Sequence, residues 1–218
     1  MTRQRLYTGV WNKWILLFLT FFSAECFGAG NSADVAEGVY GYIRDENGSP
    51  VDNVDVGIFD GFAINHVTTG ENGLYNIPEV SVSSDRYAVM FFTKDGYIPE
   101  ALNIKVGEKK AIERSIVMDR IDTSDTGFII GTIYQPVRGG KIKFQIGIYN
   151  FGKKRRVWLE RDGKTIEKET DMEGHFLFEA PEGRYRLFGE GVREKVEVDI
   201  SVRKTVIRNL RSGFVLVD

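Results

Sequence analysis

The sequence predicts an all-β chain made of two tandem copies of one unit, each of about seven strands, and three observations predict it. First, 24 glycines, only 5 prolines and 12% aromatic residues in 218 positions suit short strands and tight turns better than helices. Second, several segments alternate apolar and polar residues, and none after the first thirty positions repeats at helical spacing. Third, Thr69-Gly-Glu-Asn-Gly-Leu-Tyr75 returns as Thr170-Asp-Met-Glu-Gly-His-Phe176, with Thr, Gly and an aromatic at the same offsets. Each copy follows an Asp-Gly pair, Asp60-Gly61 or Asp162-Gly163, and precedes an Arg-Tyr pair, Arg86-Tyr87 or Arg184-Tyr185. A shared order of this kind marks a duplicated structural unit.

The leader is set aside first. Arg3, Arg5 and Lys13 precede Trp14–Ala24, an uncharged, mostly apolar run of eleven residues. A membrane-crossing helix needs about 20 such residues, so this run has the length of a signal-peptide core, and small residues follow it. A signal peptide over 1–28 is expected, and with it export to the periplasm, the cell surface or the medium. Cys26 is the single cysteine. A lipid attachment site would want an aliphatic residue three positions before it and a small one just before it, where Ser23 and Glu25 stand. Without a cysteine in the exported chain, no disulfide, thiol nucleophile or thiolate metal site is expected there.

The first unit, 36–120, opens with a strand at Val39–Arg44, interrupted by Gly41, a position for a close approach or bulge. Asn47-Gly48 supplies a turn with positive φ. Val54–Phe59 is the second strand, Asp60-Gly61 turns it into Ala63–Thr68, and Gly73 closes the next turn into Leu74–Ile77 with φ > 0. Arg86–Phe92 is the most apolar strand of this unit, followed by Ala101–Val106, a turn at Gly107–Lys110, and Ala111–Met118. A polar stretch, Arg120–Gly127, reads as the linker. The second unit, 127–218, opens with Phe128–Tyr134 around Gly131. From Gly41 to Thr69 is 28 positions and from Gly131 to Thr170 is 39, so an insertion of about eleven residues falls near 135–154. Lys141–Tyr149 within it alternates as an added strand would. Hairpin strands Arg156–Arg161 and Lys164–Thr170 follow, then Gly174–Glu179 and Arg184–Gly189. Val196–Arg203 alternates with Val196, Val198, Ile200 and Val202 towards the core, and Val206–Leu210 and Phe214–Val217 close the unit.

The series Val39-Tyr-Gly-Tyr-Ile, Asp45, Gly48-Ser-Pro-Val51, Val54-Asp-Val56, Thr69, Gly73-Leu-Tyr75, Tyr87-Ala-Val89 and Gly96-Tyr97 resembles the carboxypeptidase regulatory-like domain, one of the transthyretin (prealbumin)-like β-sandwiches. The resemblance covers most of 39–118 and extends more weakly to 131–217. It implies a seven-stranded Greek-key sandwich in each unit, non-catalytic and associated with exported or surface proteins. A transthyretin-like hydrolase of purine degradation is the enzyme alternative. It would require converging histidines with an arginine and a Tyr-Arg-Gly-Ser terminus, whereas this sequence has Tyr185-Arg186-Leu187 and ends in Phe-Val-Leu-Val-Asp218.

The chemistry-bearing residues point the same way. His66 and His175 are the two histidines, each expected at a surface or strand position. No His-x-x-Glu metallopeptidase set and no nucleophile–base pair is present, so no catalytic residue, cofactor or metal is assigned. Asp45, Glu46 and Asn47, or Asp171 and Glu173, supply fewer oxygens than calcium takes and are explained by turn chemistry. Charge is divided between the units. Residues 36–120 hold 8 Lys and Arg against 14 Asp and Glu, a net of −6, and residues 127–218 hold 18 against 13, a net of +5. Opposite signs permit head-to-tail self-association. Lys153, Lys154, Arg155 and Arg156, with Tyr149 and Trp158 nearby, form the predicted binding surface on the insertion. Its expected partner is a protein or an acidic glycan of the envelope, not nucleic acid, and the expected role is binding or scaffolding, alternatively a carbohydrate-binding accessory role with Trp158, Tyr149 or Tyr134 as stacking platforms.

Overall fold

Eighteen strands and no helix make up the regular structure of the described residues, which in this computed structural model are 38–78, 80, 86–105, 111–121, 125–138, 147–213 and 215–216. The leader with Cys26, the turn at 107–110, positions 122–124 of the linker and most of the insertion, 139–146, lie outside them. The first half carries β1 (Gly38–Asp45), β2 (Asp55–Phe59), β3 (Ile64–Thr68), β4 (Leu74–Ile77), β5 (Tyr87–Thr93), β6 (Glu100–Lys105), β7 (Ala111–Glu113) and β8 (Ile116–Met118). The second carries β9 (Thr126–Arg138), β10 (Ile148–Phe151), β11 (Arg156–Arg161), β12 (Lys164–Glu169), β13 (His175–Pro181), β14 (Gly183–Gly189), β15 (Val196–Ile200), β16 (Thr205–Ile207), β17 (Leu210–Arg211) and β18 (Val215–Leu216).

Both halves are two-layered β-sandwiches with the same strand plan. In the first, β4-β1-β7, with β8 also on β1, faces β3-β2-β5-β6. In the second, β13-β9, with β16, β17 and β18 on β9, faces β12-β11-β14-β15. The opening strand of each half pairs antiparallel with the strand that follows the Thr box, β4 or β13, and parallel with the closing strands. Gly41 and Gly131 hold the same place in this plan, opposite Tyr75 and Phe176. A Cβ on either would stand 1.8 Å from a backbone oxygen, that of Arg114 or Arg208, so each glycine admits a close main-chain approach. That approach splits the expected strand 111–118 into β7 and β8. The Tyr42 amide donates to Ser115 Oγ (3.1 Å) at the break, as the Thr132 amide does to Asn209 Oδ1 (3.1 Å).

The repeated Thr box is a turn device in both copies. Buried Thr69 Oγ1 donates to the Val51 carbonyl (2.8 Å) and accepts from the Val54 amide (2.9 Å). Buried Thr170 Oγ1 donates to Gly152 (2.5 Å) and accepts from Arg155 (2.9 Å). Gly73 and Gly174 have φ of 75° and 86°, the region that glycine enters without a steric penalty. The alternation read over 196–203 stops earlier than expected: β15 ends at Ile200, and Val202 lies in a turn closed by Lys204 N to Ser201 O (3.2 Å), with Arg203 at φ 59°.

Each half has its own apolar core, one among residues 39–118 and one among residues 129–210. A third core joins them, built from Phe59, Val89 and Phe91 of the first half and Ile130, Ile148 and Phe151 of the second. The unbroken apolar runs of β5 and the start of β9 are explained by it, because strands buried on both faces lose alternation. In the insertion, β10 pairs with β9 and, at Ile148↔Tyr87, with β5, so one ten-stranded sheet runs β13-β9-β10-β5-β2-β3 through both halves. Edge-on contacts of Phe59 with Tyr134 (4.9 Å) and Tyr87 with Phe151 (5.7 Å) close the joint.

Candidate functional site

The basic run lies where the insertion returns to the sandwich. Lys153 and Lys154 form the exposed turn between β10 and β11, and Lys154 takes φ of 50°. Superposing the two strand plans on their Thr staples puts Lys154 at the place of Asn53 (φ 48°). Arg155 and Arg156 stand 3.7 and 3.6 Å from the Glu190 carboxylate, so one acid serves two guanidinium groups.

The sequence-predicted residues do not converge on one spot. Trp158 is half-buried on the outer face of β11, stacked on Phe188 (5.3 Å between centroids), with its Nε1 donating to Glu167 (2.6 Å). The Arg156 guanidinium lies 5.5 Å from the Trp158 ring and the Lys195 ammonium 4.2 Å from the Phe188 ring. Charge therefore already occupies the aromatic faces that a sugar would stack on. Tyr149, 47% exposed, sits instead on β10 with the Arg86 guanidinium 5.2 Å from its ring. Tyr134 packs half-buried against Phe59, and burial pushes its phenol above the usual range.

Arg155 opens onto a feature that no spacing in the sequence announces. It borders a recess of about 220 Å³ with Gln135, Asn150, Glu190 and Ser212. Through Ser212 this recess adjoins a trough of about 640 Å³ lined by Tyr134, Arg193, Asn209 and Arg211, with Glu194 as its one carboxylate, over Val192 and Leu210. Guanidinium, amide and phenol groups over an apolar floor can hydrogen-bond a polar, negatively charged ligand and orient it. These side chains come from β9, β10, the β10–β11 turn, the β14–β15 loop and the segment after β16. Their meeting is a product of topology, so local pattern could not have found it.

The remaining candidates are turn or strand residues. Asp45 Oδ1 accepts from the Asn47 and Ser49 amides (3.0 and 2.9 Å), and Asp171 Oδ1 from the Glu173 and His175 amides (2.8 Å each). Among the described residues no three His, Cys, Asp or Glu side chains are arranged to hold a metal ion. His66 lies on β3, hydrogen-bonded to Asp55 (2.9 Å), and His175 on β13, at the opposite edge of the ten-stranded sheet. His175 is in a strand but buried, and burial holds its imidazole below the usual range against the pull of Asp171 and Glu173. No helix among the described residues is long and apolar enough to cross a membrane.

No family model matches the chain, and no curated protein matches it. Solved structures that are similar include the TIE protein of Bacillus anthracis, at 13% identity and a TM-score of 0.34, covering 81% of this chain and 34% of that one. The major pilin subunit of Bacillus cereus follows at 10% identity and 0.30, covering 79% and 98%. The minor pilin of Streptococcus agalactiae stands at 13% identity and 0.28, covering 82% and 97%. The chain thus spans about a third of the TIE protein's length, and 63% of that of a streptococcal ancillary pilin. At these identities and scores nothing of their roles is transferred to this chain.

Proposed function

We propose that this is an exported, non-catalytic binding or scaffolding protein, with a signal peptide over 1–28, a carboxypeptidase regulatory-like sandwich over 36–120 and a divergent second copy over 127–218. The observation that carries the reading is the exposed Lys153-Lys154 turn beside the recess that Arg155 borders, which adjoins through Ser212 the trough bearing Arg193 and Arg211. That arrangement favours an acidic ligand, an acidic glycan of the envelope in the first place. The aromatic-platform version of a carbohydrate-binding role is less well supported, because Trp158 is engaged by Phe188, Arg156 and Glu167. A hydrolase reading has no converging histidines to support it.

The test is binding of the purified protein to a panel of acidic and neutral glycans. Replacing Lys153, Lys154, Arg155 and Arg156 together by Glu should abolish capture of the acidic members and leave circular dichroism unchanged. Undiminished capture by the charge-reversed variant, or no capture of acidic glycans by the wild type, sinks the proposal.

A further inference from the structure

His175 is buried where the second half meets the first, 6% exposed, and neither of its ring nitrogens has a hydrogen-bond partner. Buried polar side-chain atoms are nearly always paired, so a ring left this way is matched to one charge state only, the neutral one. Phe151 of β10 lies edge-on to it at 6.3 Å, and Thr132 stands opposite it on β9. Neither carries a charge. The charges that act on the ring are Asp171 and Glu173 of the preceding turn. Lys168 and Glu169 of β12 and Glu100 of β6 border the cleft that it lines.

Glu173 is also the residue that ties this turn to the first half. Its Oε2 accepts from the Asn103 amide of β6 (3.1 Å), and its carbonyl accepts from Asn103 Nδ2 (2.9 Å). The same Oε2 stands 3.5 Å from His175 Nε2. Asn103 Oδ1 is buried without a partner as well, so this clasp has no polar contact in reserve. A charged imidazole needs acceptors at both nitrogens. Drawing Oε2 in to the ~2.8 Å of a charge-assisted bond takes it away from an amide already at 3.1 Å. Asp171 offers no substitute at Oδ1, which already accepts from the Glu173 and His175 amides. Nδ1 stays bare in either case. Protonation and an intact clasp are therefore in conflict.

We propose that the joint between the halves is an acid-operated clasp, in which proton uptake by His175 frees Asn103 from Glu173 and lets the two sandwiches part. Parting bares Phe59, Val89 and Phe91 on one side and Ile130 and Ile148 on the other. The sign follows from burial, which holds the closed ring below its ordinary value against the pull of Asp171 and Glu173. In the open joint the ring meets water and takes its proton at about pH 6.5. Opening thus takes up a proton. The closed joint is favoured in full above that pH, and the open population rises by up to about tenfold per unit below it, until the closed ring itself is charged. None of the basic-turn residues is involved, so this device stands or falls separately from the acidic-ligand reading.

The experiment is NMR of the full chain from about pH 7.5 to 5, above the range of ordinary carboxylates. It follows the His175 ring, the Asn103 amide, and amide exchange corrected for its intrinsic pH dependence. Exchange at Asn103 and in β10 should quicken by up to about tenfold per unit below pH 6.5, while β14 and β15, within the second half's own core, keep their protection. His175→Leu, which installs the residue found at the equivalent Leu74, should abolish that dependence. Glu100, held above the usual range by burial and by Asp119, titrates in both chains and cancels from the comparison. Glu173→Gln keeps an acceptor for the Asn103 amide but removes the charge beside the ring, and should lower the His175 midpoint further. Exchange that is independent of pH, that quickens equally in all strands, or that keeps its pH dependence in His175→Leu overturns the proposal, as does a His175 midpoint at or above the ordinary value.

Discussion

The two halves share a turn but not its charge. In the first, Asp52 and Asn53 precede β2, and Lys94, just after β5, reaches back to the Asp52 carboxylate (2.8 Å) and carbonyl. In the second, Lys153 and Lys154 take those places, and Glu190, just after β14, reaches back to Arg155 and Arg156. The backbone is kept by buried threonines and positive-φ glycines, whereas the tie across it is kept with its polarity inverted. The same separation holds for the sheet faces. The outer face of β2 and β5 is apolar at Phe59, Val89 and Phe91 and is covered by the second half. The matching face of β11 and β14 bears Trp158 and Phe188 among Glu160, Arg186 and Arg184, with ion pairs Arg186–Glu160 and Arg184–Asp199 (3.0 Å). One is an internal face and the other a solvated end. The comparison teaches that the interior of the repeat fixes the fold, and that each copy's outer surface is free to take its own chemistry.

The widest test of that contrast is truncation on the two faces. Phe91→Ala should cost about 3–5 kcal/mol, as for a fully buried aromatic, and Phe188→Ala, at the equivalent site, about 1 kcal/mol for a half-buried one. Urea unfolding of both variants measures this, and equal losses would break the distinction between internal and open face. Next in size are the turns that the halves share. Gly73→Val and Gly174→Val should each lose about 2 kcal/mol or more, because left-handed backbone is costly for a β-branched residue. The added carbon would also stand 2.4 Å from the Ile43 oxygen or 2.7 Å from the Phe151 Cβ. Wild-type melting of either variant would show that its turn is not held as described. The smallest effect sharpens the charge inversion. Lys154→Asn should stabilise by about 0.5 kcal/mol, since asparagine tolerates positive φ better than lysine. Asn53→Lys should lose a similar amount in paired thermal melts.

Much of this fold was legible because its signals are local. Asp60-Gly61, Asp162-Gly163 and the two Thr boxes describe turns whose geometry is settled within a few residues, and Gly41 and Gly131 marked the close approaches. The joint was not legible. Runs such as Ala88–Phe92 and Phe128–Ile133 say that both faces of a strand are buried, but not against what, since the covering residues lie far away in the chain. For the candidate site the basic run was visible as a cluster, whereas Arg193, Asn209 and Arg211 are scattered along the sequence and meet only through the strand plan. His175 carried no signal at all. Its equivalent in the first half is Leu74, and the Phe151 ring that packs edge-on against His175 comes from the insertion, which the first half lacks.

The third core also sets a condition on biosynthesis. The chain emerges amino end first, so the first half can close its own sandwich while the second is still being made. Until β9 and β10 arrive, Phe59, Val89 and Phe91 face water as a contiguous apolar surface. At ordinary elongation rates that interval is a few seconds, about 2–7, long for a bare sheet face in a crowded cell. The half that looks complete by its own strand count is therefore the one most in need of protection on the way to its final structure.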